Sequence, residues 1–402
     1  MTVLSLPRAR TSHGFWFVAV AFGALMAFGT LPTPLWPLYQ ARDHFGPMQV
    51  TIAFAAMVAG AAVSFGTLGH LSDRFGRRRI IAPGLAVGIV AALVMAAWPD
   101  LPGLIVGRVL TGVAVGLMAS TATAYLTDLY GAAHPERTGS GVPMLTSAVA
   151  NLGGLALGPL LAGALAQWVP GPLVTSYLVL AVVIAGLLVL VAVTPETVDP
   201  RAAPDGRRFA LRPGGARLFA AAAVVGFFAF ALMGFFSSLG AVVLRGELGV
   251  TSSFVLGLAP FAAFAASAGA QLLLGPVAPR RLMVIGSVLF PAGLAVTVTA
   301  LYHPALWLFL TGAAIAGAGG GLLFKAAVTE TVLAAAPASR AGVLAVFFII
   351  AYAGMGLPSV AFSVVIRYVA LAPTMVGFGT ALTLGTAAAV GTALHTGNRS
   401  SR

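Results

Sequence analysis

The sequence predicts an all-α membrane protein of twelve crossing helices arranged as two pseudo-symmetric six-helix halves, on three observations. Of 402 residues, 59% are hydrophobic and 8% charged, and mean hydropathy is +1.00. A soluble domain carries roughly 25% charged residues. Apolar runs of about 20 residues, the length that spans a bilayer, fill the chain between short polar connectors. With the N-terminus placed in the cytoplasm, seventeen Arg fall on the inner side and only Arg42, Arg245 and Arg367 on the outer, and this kind of bias orients membrane proteins. The net charge of +12 is therefore a record of topology. It forms no basic patch for a nucleic acid.

Taken in order, the first apolar segment runs over 14–39, its outer end broken by Pro32, Pro34 and Pro37. Ala19-Val20-Ala21 formally fits a signal-peptidase site, but the apolar run continues well past it, so an uncleaved first helix is expected. The next five segments cover 50–71, 80–98, 102–128, 139–168 and 173–193. A Pro-rich stretch with eight charged residues follows at 194–217, near the midpoint. It divides the chain into residues 1–194, a cytoplasmic linker at 195–217, and residues 218–402. The second six segments cover 218–244, 254–277, 282–302, 305–328, 342–369 and 373–394. The halves echo each other at an offset near 200: Thr111-Gly112 falls opposite Thr311-Gly312, Arg137 opposite Arg340, and Pro159 opposite Pro358. The absence of Cys excludes disulfides and thiolate metal sites.

The connector between segments two and three reads Gly69-His70-Leu71-Ser72-Asp73-Arg74-Phe75-Gly76-Arg77-Arg78-Arg79. Gly69 lets two helix backbones approach and Gly76 permits a left-handed turn. Asp73 can sit near a helix N-terminus or pair with an Arg. The pattern Gly-x-x-x-Asp-Arg-x-Gly-Arg-Arg resembles motif A of the major facilitator superfamily of secondary transporters. The resemblance implies a latch, made of Gly69, Asp73, Arg74, Gly76, Arg77, Arg78 and Asp128, that closes the cytoplasmic side through an Arg77–Asp128 pair. Its second-half counterpart, 275–281, keeps a Gly and two Arg but has no acid, so the latch is expected on one side only.

Arg108, Gly112 and Gly116 resemble motif B, which the family associates with ion coupling. A charge at mid-bilayer costs roughly 2.5–3.5 kcal/mol on insertion scales. Arg108 therefore either faces a cavity with a partner or snorkels to the outer surface. Gly154, Gly158 and Pro159 resemble motif C of the antiporter branches, although Leu145 and Ala162 stand where that motif has Gly. Ordinary packing of small residues is the alternative. Lys325 is either a cavity counter-charge and proton carrier or a snorkelling side chain. Asn151, Gln271 and Tyr352 are polar groups in apolar segments, and with Phe28 and Phe235 they complete the candidate substrate cavity. The Gly317 and Gly319–Gly321 cluster lacks the preceding strand of a dinucleotide loop and reads as a hinge or packing seam.

Expected function is alternating-access transport of a small organic molecule across a bacterial inner membrane, with both termini cytoplasmic. The motif C resemblance implies proton-driven export; symport or facilitated uptake is the alternative. No acid lies deep in any segment, so a neutral or anionic polar-aromatic substrate is expected over a hydrophobic cation. Partners are the substrate, protons and the lipid bilayer, for a monomer with neither cofactor nor metal. A membrane enzyme would need paired aspartates, His-Glu-x-x-His or Gly-x-Ser-x-Gly, and none occurs within the segments.

Overall fold

A computed structural model describes residues 8–68, 71–137, 140–198 and 209–399. Their helices are α1 (Arg8–Thr30), α2 (Trp36–Asp43), α3 (Pro47–Thr67), α4 (Leu71–Phe75), α5 (Arg78–Ala97), α6 (Leu101–Ala133), α7 (Val142–Trp168) and α8 (Pro172–Ala192). Past the linker come α9 (Gly215–Ser238), α10 (Gly240–Gly246), α11 (Ser253–Leu273), α12 (Pro279–Tyr302), α13 (Leu306–Ala334), α14 (Arg340–Val365) and α15 (Leu371–Arg399). Twelve spans among the described residues are long and apolar enough to cross a membrane. The first joins α1 and α2 through a 3-10 turn at Thr33–Leu35, where Pro34 has no N–H to continue an α-helical ladder.

Several helices outrun their apolar segments on the side that carries the arginine-rich connectors, here called the arginine side. α6 continues to Ala133 and α13 to Ala334. Hydrophobicity marks the membrane-crossing length, whereas the helix persists until a breaker stops it. Pro135 and Pro337 supply those breakers. In the other direction α11 stops at Leu273, short of the expected Val277, because Gly275-Pro276 follows.

Two buried clusters hold the molecule together. One gathers Phe22, Leu25, Phe28, Trp36, Leu85, Tyr125 and Tyr177 from α1–α8. The other centres on Phe235, Phe236, Phe290, Phe309 and Phe347 from α9–α15 and extends to Phe54, Met57 and Val58 of α3. Across this boundary α3 packs on α14 and α7 on α11. Leu211 and Ala335 form an isolated antiparallel bridge, fixed by Arg212 N–H to Ala334 O at 2.9 Å and Ala336 N–H to Ala210 O at 3.0 Å. The linker's far end is thereby tied to the connector between α13 and α14.

Small residues set the helix seams, and their contacts correct the repeat. A Cβ on Gly112 would strike the Met57 carbonyl of α3, whereas one on Gly312 would strike Thr297 and Gly293 of α12. The two glycines therefore face different neighbours. By contact, the counterparts of Gly112 and Gly116 are Gly317 and Gly321, which lie on Ala263 and Ser267 of α11. A five-residue slip turns an α-helix by about 140° beyond a full revolution, enough to change the helix it meets. Gly319 packs on Phe290 of α12 and Gly320 on Leu232 and Met233 of α9, so the glycine cluster is a three-sided seam.

Candidate translocation site and loop latch

The connector after α3 is built around a carboxylate that the sequence reading missed. Gly76 has φ +110°, and a Cβ there would meet the Glu196 carboxylate. Glu196 accepts the backbone N–H groups of Arg77 at 2.8 Å, Arg78 at 3.1 Å and Arg79 at 3.4 Å. These are the donors at the start of α5, which have no intrahelical acceptor, and an anion there is also favoured by the helix dipole. Arg78 Nη1 donates to Ala192 O at 3.1 Å and Thr194 O at 3.0 Å, while the Tyr125 hydroxyl donates to Pro195 O at 2.7 Å. Glu196 follows Pro195 directly after the sixth segment. That acid, placed opposite a turn rich in free N–H groups, was the available signal.

The Arg77 side chain lies where the latch reading puts it. Its Nε donates to Asp128 Oδ2 at 3.4 Å, its Nη1 to Ser72 Oγ at 2.9 Å, and Thr197 Oγ1 also donates to Asp128 at 3.1 Å. Arg74 is exposed, with its guanidinium 5.7 Å from the Phe75 ring. Gly69 and the Asp73 side chain lie outside the described residues.

Arg108 does not snorkel: it is 1% exposed. Its Nη1 donates to Gly29 O at 2.8 Å and its Nη2 to Met57 Sδ at 2.9 Å, and the guanidinium lies 5.9 Å from the Phe54 ring centroid. Nε has no partner, and among the described residues no carboxylate pairs with the group. A carbonyl, a thioether and a ring face stabilise the cation there, between α6, α1 and α3. Phe28 and Phe235 are both fully buried in the two core clusters; their rings face neighbouring side chains and no open space.

Tyr352 belongs to a largely buried aromatic group that spans the two halves. It lies 5.3 Å from Phe65 and 5.5 Å from Phe230; Phe65 stacks on Phe348 at 5.3 Å, and Phe324 lies 4.6 Å from Phe230. These four phenylalanines come from α3, α9, α13 and α14, and no local motif marks them. Asn151 is half-buried on α7. Gln271 Nε2 donates to Ser267 Oγ at 3.3 Å, and Lys325 Nζ reaches Gln271 O at 2.8 Å and Gly275 O at 3.3 Å.

Polar contacts between the halves gather on the side away from the arginines. Thr33 Oγ1 donates to Ser237 O at 2.8 Å, the Thr51 and Ser363 hydroxyls are 2.7 Å apart, and Gln167 Oε1 accepts from Ser252 Oγ and Ser253 N, each at 3.0 Å. Gly154 and Gly158 lie on the Gly23 and Ala27 carbonyls of α1, while the Pro159 carbonyl lies against Gly257 of α11. The motif C stretch therefore packs α7 between the halves.

Comparison with known proteins agrees with this architecture. Over 78 residues the chain is 41% identical to a glucose transporter of Staphylococcus epidermidis, covering 19% of this chain and 18% of the relative. It is 33% identical to the arabinose-proton symporter of Bacillus subtilis over 94 residues, 23% and 20% of the two chains. Identity to the bacillibactin exporter of the same organism is 29% over 140 residues, 34% of each. These matches span between 18% and 34% of the relatives' lengths. Among solved structures, the nucleoside transporter NupG superposes with TM-score 0.70 at 12% identity, covering 94% of this chain and 99% of that one. A POT family peptide-complex structure gives 0.73 at 11% identity, covering 93% and 94%. The Major Facilitator Superfamily profile matches residues 15–359, most of the chain, and with twelve helices among the described residues long and apolar enough to cross a membrane, in the same fold, the chain belongs to the Major Facilitator Superfamily.

Proposed function

We propose that this chain moves a small hydroxyl-bearing organic solute, neutral or anionic, across a bacterial plasma membrane by alternating access of its two halves, with the arginine side in the cytoplasm. The aromatic group of Phe65, Phe230, Phe324, Phe348 and Tyr352 carries the reading. Ring faces hold the apolar face of a sugar or an aromatic solute, and a phenol supplies one polar handle. Among the described residues no carboxylate joins the group, and the fully buried charge is Arg108, a base, which disfavours a lipophilic cation.

Two directions have separate support. The packing of Gly154, Gly158 and Pro159 between the halves, in a stretch that resembles motif C, favours export coupled to protons. The arabinose-proton symporter and the glucose transporter among the relatives favour uptake. Proteoliposomes loaded with labelled D-glucose, L-arabinose or D-xylose, or with matched organic cations and anions, under an imposed pH gradient decide both points. Flux of a sugar or anion that falls at least tenfold in Phe65→Ala supports the site. Strong flux of lipophilic cations, undiminished in Phe65→Ala and Arg108→Gln, overturns it. The sign of the gradient that drives uphill movement separates antiport from symport.

A further inference from the structure

Lys325 is the only lysine in the chain, and the site described above leaves its role unassigned. It lies on α13 four residues beyond Gly321 and eight beyond Gly317, on the stripe that packs against α11. Gly317 meets Ala263 and Gly321 meets Ser267. The next four-residue step along both helices brings Lys325 to Gln271, and the contacts match: Nζ donates to Gln271 O at 2.8 Å and to Gly275 O at 3.3 Å.

Those carbonyls lack other donors for a local reason. The last carbonyls of a helix have no intrahelical partner and carry partial negative charge. The N–H of Gly275, which would serve Gln271 O in a continuing helix, bonds instead to Leu272 O at 3.2 Å. Pro276 and Pro279 have no N–H to give. A lysine ammonium from the neighbouring helix fits this gap: it supplies donors and a charge of the sign that a helix C-terminus favours.

We propose that Lys325 is a positioning residue whose ammonium closes the C-terminus of α11 and binds α11, the 274–278 connector and α13 into one body. The second half thereby obtains through a lysine and backbone carbonyls the arginine-side rigidity that the first half draws from Arg77, Asp128 and Glu196. The role is independent of the substrate and of the direction of transport.

The absence of native Cys permits a direct test in the full-length protein. Spin labels on Ala278→Cys and Leu333→Cys report the distance between the start of α12 and the end of α13, in wild type and in Lys325→Arg, Lys325→Gln and Lys325→Met. Arg keeps charge and several donors and cannot lose its proton, Gln keeps one donor group, and Met keeps only the stem. The expected result is a narrow distance distribution in wild type and Arg, and broadening that grows from Gln to Met. Amide exchange at 274–275 should be about tenfold faster in Met, the scale of one lost charged hydrogen bond. Arg as broad as Met, or Met as narrow as wild type, overturns the proposal. If Met yields no folded protein, the order of Gln against Arg decides: Gln as narrow as Arg refutes it.

Discussion

The two halves close their arginine-side ends with different chemistry. In the first, side-chain carboxylates do the work: Glu196 accepts three consecutive N–H groups at the start of α5, and Asp128 accepts from Arg77 and Thr197. In the second, backbone carbonyls accept from one lysine and from the N–H groups of Arg212 and Ala336. The first arrangement is an anion at a helix N-terminus, the second a cation at a helix C-terminus, and each matches the end of the macrodipole it meets.

The largest test of this comparison concerns the seams that bring those ends together. Gly112→Leu and Gly317→Leu each push a side chain into a carbonyl of the facing helix, and overpacking of this kind costs about 1–3 kcal/mol or more. Both should sharply lower the yield of folded, monodisperse protein. Gly153→Ala, whose Cβ meets nothing within 4 Å, should leave thermal stability unchanged or raised, since Gly to Ala inside a helix gains roughly 0.5–1 kcal/mol. Equal loss in all three would show that the seam register assigned here is wrong.

Next in size is Glu196→Ala. It strands the N–H groups of Arg77 and Arg78, and unsatisfied groups of this kind cost about 1–3 kcal/mol. Amide exchange at 77–79 should accelerate roughly tenfold or more, while Glu196→Gln, which keeps one acceptor oxygen, falls between. Unchanged exchange in Glu196→Ala would remove the carboxylate from the account of the first half.

The smallest effect belongs to the Arg77–Asp128 pair. At 3.4 Å, with side chains 15% and 36% exposed, it ranks with partly solvated pairs worth about 0–1 kcal/mol. Arg77→Ala should shift thermal stability by only a few degrees, less at high salt, while slowing turnover if the latch reading holds. A stability loss as large as that of Glu196→Ala would instead make the pair the main brace.

Much of this molecule was legible in the sequence because the bilayer imposes a simple rule: a crossing helix must be apolar and about 20 residues long. The twelve crossings follow from local composition, whereas the Arg77–Asp128 pair, 51 residues apart in the chain, was only what the motif A resemblance implies. The repeat register was not legible. The dipeptides Thr111-Gly112 and Thr311-Gly312 match as text, yet they face different helices, and identity in sequence carries no information about rotation around the helix axis.

Arg108 makes the same division visible at one residue. Its presence in an apolar segment left two outcomes open, a partner inside the protein or snorkelling to the outer surface. Only the tertiary structure decided that the partners are a carbonyl of α1, a sulfur and a ring of α3, because these lie 79, 51 and 54 positions away along the chain. Glu196, Lys325 and the aromatic group around Tyr352 depend likewise on which helix ends meet. Hydrophobicity fixed how many times the chain crosses. The orphaned N–H and C=O groups at helix ends, which the sequence does not count, decided where its few charges went.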